Sequence, residues 1–246
     1  MTDQRITNGP TAIGELVDVA ALRRSFAELA AEISRREAEE KAAREAAWAA
    51  LSIEEKRARR QGFLAQLGVD EDVALDAGFY GFGSSQVERT EATTVVARWT
   101  AEQPDSTFLG LVGYVGTGKT YAAARWVLWA CGQPGVVPTR DIVWVHARRD
   151  LQDLDALGDG KALLRRWASA RYLVLDDLGA EYIDAGGVML TKLEGLLAPR
   201  YSRARKTLIT SNVLEKSERW RRYGARIMDR IGDRSWVVLQ EKRSRR

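Results

Sequence analysis

The sequence predicts an α/β fold: a parallel sheet with helices on both faces, preceded by a helical N-terminal region. Three observations predict it. Four apolar runs, "TFLGLVG", "DIVWVHA", "RYLVLDD" and "KTLITSN", are continuous rather than alternating, the pattern of strands buried on both faces. Helix-forming stretches separate them, as parallel connections require. The first run then breaks into "GYVGTGKT", a glycine-rich loop placed where a strand hands over to a helix.

At the N-terminus, Glu15 to Leu67 reads as helix. Leu16, Val19, Leu22, Phe26, Leu29 and Ile33 recur at three- and four-residue spacing and form one apolar face. The following "SRREAEEKAAREAAWAA" is built of good helix formers with few large apolar residues. Such a segment is a solvated spacer or one half of an interface. Gly62 and Gly68 punctuate its end. "DAGFYGFGSSQVERT" shifts to Gly, Ser and aromatics and reads as a boundary loop before a helix over Val87 to Thr100. The expected organisation is therefore an N-terminal helical region over 1–68, a linker over 69–86 and an α/β domain over 87–246.

In the second part, helices are expected over "KTYAAARWVLWACG", "RRDLQDLDALGDGKALLRRWA" and "VMLTKLEGLLAPRYS", each between two of the apolar runs. Trp126, Trp129 and Trp144 fall within such runs and read as core. His146, at the end of a buried strand, reads as a packed or strand-end residue rather than a catalytic one.

Composition narrows the function classes. The chain has 246 residues, one cysteine and one histidine, which excludes an intrachain disulfide, a cysteine metal cluster and a multi-histidine site. No run approaches the roughly 18 apolar residues of a membrane span, and "MTDQRITNGP" lacks the apolar core of a signal peptide. A cytoplasmic protein with no membrane partner is expected. The net charge of +4 is unevenly placed: from Ser217 to Arg246 there are ten Lys/Arg against four Asp/Glu. A clustered basic excess suits phosphate or nucleic acid, as well as a solubilising tail.

The loop from Gly113 to Thr120 fits G-x-x-x-x-G-K-[ST]. Its backbone N–H groups must turn inward to hold a β-phosphate, and glycine permits both the backbone angles and the close approach. Gly113, Val115, Gly116, Thr117, Gly118, Lys119, Thr120 and Tyr121 are the expected nucleotide-binding residues. Lys119 supplies a point charge to the β- and γ-phosphates, the Thr120 hydroxyl suits Mg²⁺, and the helix that begins there adds its N-terminal dipole. A second motif follows 57 positions after Lys119: "RYLVLDDLGAE" ends an apolar strand at Asp176. Asp176 is expected to hold Mg²⁺ through its water shell, and Asp177 to orient or deprotonate the attacking water. ATP and Mg²⁺ are the expected cofactors.

"GTGKT", "LVLDDLGAE", "TLITSN" and "GARIMDR" occur in this order, and together they resemble the AAA+ ATPases of the DnaC/IstB group, which comprises replicative helicase loaders and transposition helper ATPases. The resemblance covers roughly Gly78 to Arg246. It implies a five-stranded parallel core, no C-terminal helical lid, and assembly into a homo-oligomer with ATP held between subunits. It also implies that Asn212 is the sensor that contacts the γ-phosphate or the attacking water. "YGARIMDRIGDRSW" resembles the arginine-finger segment of that group, so Arg226 or Arg230 would stabilise charge on the transferred phosphoryl group of a neighbouring subunit. The two are four apart and share a helix face.

Two departures stand out: Asp177 replaces the glutamate usual in DnaC-type loaders, although Asp–Asp occurs in the IstB branch, and Tyr114 replaces a small residue. Phe79, Tyr80 and Phe82 fall in the region that lines the adenine in this group, and read equally well as core. The implied function is an ATP-dependent loader of a replicative, DnaB-like helicase onto single-stranded DNA, with the helicase bound by the N-terminal region. The alternative is an IstB-like helper that remodels target DNA for a transposase.

Overall fold

The computed structural model describes residues 19–79, 90–102, 107–232 and 235–240. It divides into two units, Met1–Ser52 and Ile53–Arg246. The first unit contributes one long helix, α1 (Val19–Ala50). The single helix expected over Glu15 to Leu67 is thus two: α1 ends with Leu51 N–H donating to Trp48 O, and α2 spans Ile53–Gln66. The sequence carries the cause. Ser52-Ile-Glu-Glu55 is the S-x-x-E pattern that starts a helix, with Glu54 and Glu55 in the first turn.

The division between units lies before α2, earlier than the boundary read from sequence. α2 and α3 (Glu71–Phe79) belong with the sheet. Leu64, Ala74 and Ala77 are buried in its core, and the Arg60 guanidinium donates to Gly78 O and Phe79 O. α4 (Glu91–Glu102) begins near the expected position. Tyr80 and Phe82 lie outside the described residues. Phe79 is exposed, with the Arg57 guanidinium stacked 3.7 Å above its ring.

Five parallel strands follow: β1 (Phe108–Val112), β2 (Ile142–His146), β3 (Tyr172–Leu178), β4 (Lys206–Ser211) and β5 (Trp236–Val238). Their order across the sheet is β2-β3-β4-β1-β5. Between them run α5 (Lys119–Cys131), the short α6 (Pro138–Asp141), α7 (Gly160–Ser169), α8 (Val188–Ser202) and α9 (Lys216–Ile231). Successive side chains of a strand point to opposite faces, and the core obeys this. Ile142, Trp144, Tyr172, Val174, Leu109, Leu111 and Leu208 join one buried cluster with α3, α4 and α5. Val143, Val145, Leu173, Leu175, Phe108 and Ile209 join the other with α7, α8 and α9. Trp126 and Trp144 are core as expected, and Trp129 is partly buried against it.

Two buried arginines tie elements together, Arg125 joining α5 to α3 and Arg200 joining α8 to α7 and β4. Arg125 of α5 donates to Ala77 O at 2.8 Å. Arg200 of α8 is wholly buried and donates to Trp167 O, Ala170 O, Lys206 O and the Thr207 hydroxyl. Burial without a carboxylate partner pushes the Arg200 guanidinium down to about 9. Because all strands are parallel, their C-terminal ends share one edge, and β1, β3 and β4 bring the glycine loop, Asp176–Asp177 and Asn212 to it.

Candidate functional site

β1 ends at Val112 and α5 begins at Lys119, so the loop between them must turn sharply. Gly116 at φ 86° and Gly118 at φ 81° take the left-handed conformations this needs. Gly118 directly precedes α5, whose first amides have no acceptor inside the helix and suit an anion. The Thr117 hydroxyl donates to Tyr114 O at 2.9 Å and braces the loop. Tyr114 and Val115 are exposed at its tip, and Tyr121 is half-buried one turn into the helix.

The Lys119 ammonium is buried and fully engaged. It donates to Gly113 O and Tyr114 O, both at 2.9 Å, and to Asn212 Oδ1 at 2.8 Å. Those bonds use its three protons. Burial lowers its pKa, while Asp177 and Asp176 pull it upward.

The acidic pair owes its shape to a bulge. Along β3 and β4, Leu175 faces Ile209 and Leu178 faces Ser211, so β3 carries one residue more than β4 over that interval. The extra residue is accommodated at Asp177, which sits at φ 56°. Among residues with a side chain, aspartate is one of the few that tolerates this region. Without the bulge, two consecutive carboxylates would point to opposite faces of the sheet. With it, both are available at its edge.

Thr210 of β4 fixes the bulge from both sides. Its hydroxyl donates to Asp176 Oδ1 at 2.5 Å and accepts from Asp177 N–H at 2.8 Å. Asp176 is only 1% exposed. Its other neighbours are the Thr120 hydroxyl, 3.3 Å from Oδ1, and His146 Nε2, 3.5 Å from Oδ2. Burial raises the Asp176 pKa, and the Thr210 hydrogen bond and His146 oppose that rise. Asp177 is half-buried and accepts from Asn212 Nδ2 at 2.9 Å. Asn212 therefore joins Lys119 on one side to Asp177 on the other.

The donor set fits a magnesium ion held with a nucleotide. Mg²⁺ takes oxygen ligands, characteristically one or two from the protein with the rest from phosphates and water. The Asp176 carboxylate and the Thr120 hydroxyl are such a pair. Among the described residues no group of three or more His, Cys, Asp or Glu could hold a metal ion by itself.

Of the residues expected from sequence, Lys119, Thr120, Asp176, Asp177 and Asn212 come together here. Arg226 and Arg230 do share a helix face as expected, but their partner is Glu194 of α8. Arg230 Nη1 donates to Glu194 Oε1 at 2.8 Å, and Arg226 Nε lies 3.3 Å from the same oxygen. The Glu194 carboxylate is held below the usual range, first by its hydrogen bond from Arg230.

Three groups at or behind the site are not assigned to it by the sequence. Thr210 and His146 act through tertiary contacts, and only the presence of a hydroxyl in "TLITSN" and a polar residue at a strand end hinted at them. Glu181, the third, is buried two residues beyond Gly179. The basic segment also differs from a free stripe: Arg219 is buried against Val213 O and Leu214 O, and Arg222 is bound to Glu181. Residues 241–246 of that segment lie outside the described ones.

A loop on β1, an acid pair on β3 and a polar residue after β4, which lies between them in the sheet, define the fold. It is a P-loop NTPase fold. Among solved structures the chain is similar to the DnaC helicase loader, with 19% identity over 63% of this chain and 95% of that one and a TM-score of 0.46. It is similar to DnaI, with 23% identity over 72% and 90% and a TM-score of 0.46. It is also similar to AMPPCP-bound DnaA from Aquifex aeolicus, with 15% identity over 62% of this chain and a TM-score of 0.46, spanning 48% of that chain. No family model matches the chain, and no curated protein matches it.

Proposed function

We propose that the protein is an Mg²⁺-dependent ATPase of the DnaC/IstB kind that works as a homo-oligomer and loads a replicative helicase onto single-stranded DNA. The observation that carries the ATPase reading is the continuous hydrogen-bonded path Lys119–Asn212–Asp177 at the edge of the sheet. Each member has a role in phosphoryl transfer. The loop amides and Lys119 hold the β- and γ-phosphates. Thr120 and Asp176 would hold Mg²⁺, which when bound neutralises charge on the phosphate oxygens. Asp177 has one oxygen fixed by Asn212, leaving the other to orient a water and accept its proton. An entering γ-phosphate competes for Lys119 and so reaches Asp177 through Asn212.

Arg226 and Arg230 supply the remaining positive charge to the site of a neighbouring subunit. Their pairing with Glu194, on α8, supports a role away from their own P-loop. The helicase would bind α1, whose Phe26, Leu29 and Ile33 are exposed on one face. Single-stranded DNA would bind the basic segment after Ser217, through those cations not already engaged. The Asp–Asp pair supports the second reading, a helper ATPase for a transposase, because that pair occurs in the IstB branch.

Phosphate release measured with ATP and Mg²⁺, with and without single-stranded DNA, tests the enzyme. Capture of a hexameric helicase by the full chain tests the loader. Turnover without capture of a helicase, together with capture of a transposase, would move the assignment to the second reading.

A further inference from the structure

Glu181 is a charged side chain, buried to 2% exposure, that the ATPase chemistry does not use. It lies in the turn after β3, four residues beyond Asp177. One carboxylate oxygen accepts from Gly179 N–H at 2.7 Å. The other accepts from the Tyr223 hydroxyl at 2.8 Å and from Arg222 Nε at 3.2 Å. Arg222 also donates to the Glu181 backbone carbonyl. A buried carboxylate is costly unless each oxygen is satisfied, and here every bond goes either to the Asp177 turn or to α9.

α9 is similarly tied to the turn that follows Asn212. Arg219 Nη1 donates to Val213 O at 2.6 Å and Leu214 O at 2.7 Å. Positions 219, 222 and 223 are one helical face, so the first half of α9 grips the turns behind both Asp177 and Asn212. The two turns also touch each other: a Cβ on Gly179 would lie 2.5 Å from Val213 Cγ2. The helix breaks immediately afterwards. Gly224 has φ 72° and ψ 165°, a conformation essentially confined to glycine, and no atom within 4 Å crowds its absent side chain. Beyond it come Arg226 and Arg230. α9 is therefore a strut clamped to the catalytic turns, a joint, and a second segment that carries the arginines.

We propose that Glu181 is a positioning residue that couples the Asp177 turn to the arginine-bearing helix, so that the state of one subunit's site sets the arginines it presents to the next. This rests on the reading of Arg226 and Arg230 as groups that act between subunits. Loss of Glu181 falls mainly on α9, because the Asp177 side has other restraints: Thr210 on its backbone, Asn212 on its carboxylate and the Ser211 hydroxyl on Leu178 O.

The test is Glu181→Gln in the full chain. An amide has one oxygen, whereas Gly179 N–H and Arg222 Nε both require an acceptor, on opposite sides of the carboxylate; whichever way the amide turns, its NH2 meets one of these donors and that bond is lost. Nucleotide affinity and KM for ATP stay within about twofold, while kcat falls on the order of 10–10²-fold, the cost of a misplaced catalytic group. Subunit mixing then separates the two sides. Mixed with Lys119→Ala, whose arginine helix is intact, Glu181→Gln regains turnover. Mixed with an Arg226→Ala/Arg230→Ala variant, whose own site is intact, it does not. Tyr223→Phe, which removes only the hydroxyl, repeats the pattern more weakly and decides the matter if Glu181→Gln fails to fold. An unchanged kcat, or the reversed mixing pattern, overturns the proposal. If the Arg226→Ala/Arg230→Ala variant alone turns over at the parent rate, the reading of α9 as an intersubunit element falls, and the coupling falls with it.

Discussion

The two units of the chain treat their apolar residues in opposite ways. Ile53–Arg246 buries Leu64, Leu111, Leu173, Leu193 and their neighbours in two clusters, one on each face of the sheet. α1 in the other unit leaves Phe26 67% exposed, Leu29 53% and Ile33 49%, and its surface is finished with exposed intrahelical pairs such as Arg36 to Glu32. Such pairs add little stability. The sheet unit's apolar residues are covered by its own core, whereas α1 has a patterned apolar face that the described residues leave exposed. Substitutions in the sheet unit should therefore register in turnover or stability, and substitutions on α1 in association alone.

The largest effect is expected at Lys119. Lys119→Ala removes the charge that offsets the triphosphate and should bring phosphate release to background, with folding of the variant checked by circular dichroism because Gly113 O, Tyr114 O and Asn212 Oδ1 lose their donor. A folded variant with unchanged ATP affinity and hydrolysis would remove the basis for the nucleotide site. Next is Arg230. If it serves a neighbour's phosphoryl group, Arg230→Ala should lower kcat by about 10³-fold or more without weakening nucleotide binding, and mixing with Lys119→Ala should restore part of the activity. Absence of rescue in assembled mixtures shifts the role to Arg226.

Arg200 breaks the comparison from the stability side. Arg200→Leu strands the carbonyls of Trp167, Ala170 and Lys206 without their donor. Each orphaned buried acceptor costs about 1–3 kcal/mol, so the variant should melt well below the parent in thermal or denaturant unfolding. A wild-type melting curve would mean that water or a rearranged side chain takes over those carbonyls.

The sequence made the fold and the first tier of the site legible because both rest on local pattern. Continuous apolar strands, the glycine loop at a strand–helix junction and Asp176 at a strand end are all visible within a few residues. What stayed hidden depends on register between distant strands. Thr210 reaches Asp176 across 34 positions, and the bulge that turns Asp177 to φ 56° exists only relative to β4. The same fact reinterprets Asp177: a shorter acid at a left-handed position is a fit to the backbone, and Asp177→Glu is a strained change rather than a conservative one. His146 does end its strand, and its in-register pairing with Asp176 places it beside that carboxylate. The break at Ser52 was legible as a capping pattern and was hidden by the strong helix propensity on either side.

The smallest expected effect on the sheet unit comes from α1, and it is the sharpest test of the contrast. Phe26→Ser and Leu29→Ser alter exposed side chains, and surface changes away from packed features stay within about 0.5 kcal/mol. Phosphate release and the melting transition of the ATPase unit should therefore match the parent. Binding of the protein partner should not. An apolar stripe on a helix is recognised by a groove that buries it, and removing a large side chain from the centre of such an interface commonly costs more than 1 kcal/mol, about a fivefold or larger loss of affinity. Binding of the purified helicase to parent and variant, read by calorimetry beside an ATPase assay on the same samples, gives both numbers at once. Equal affinities would mean that the exposed face of α1 is not the recognition surface. A loss of turnover in step with the loss of binding would mean that α1 acts on the nucleotide site as well as on the partner.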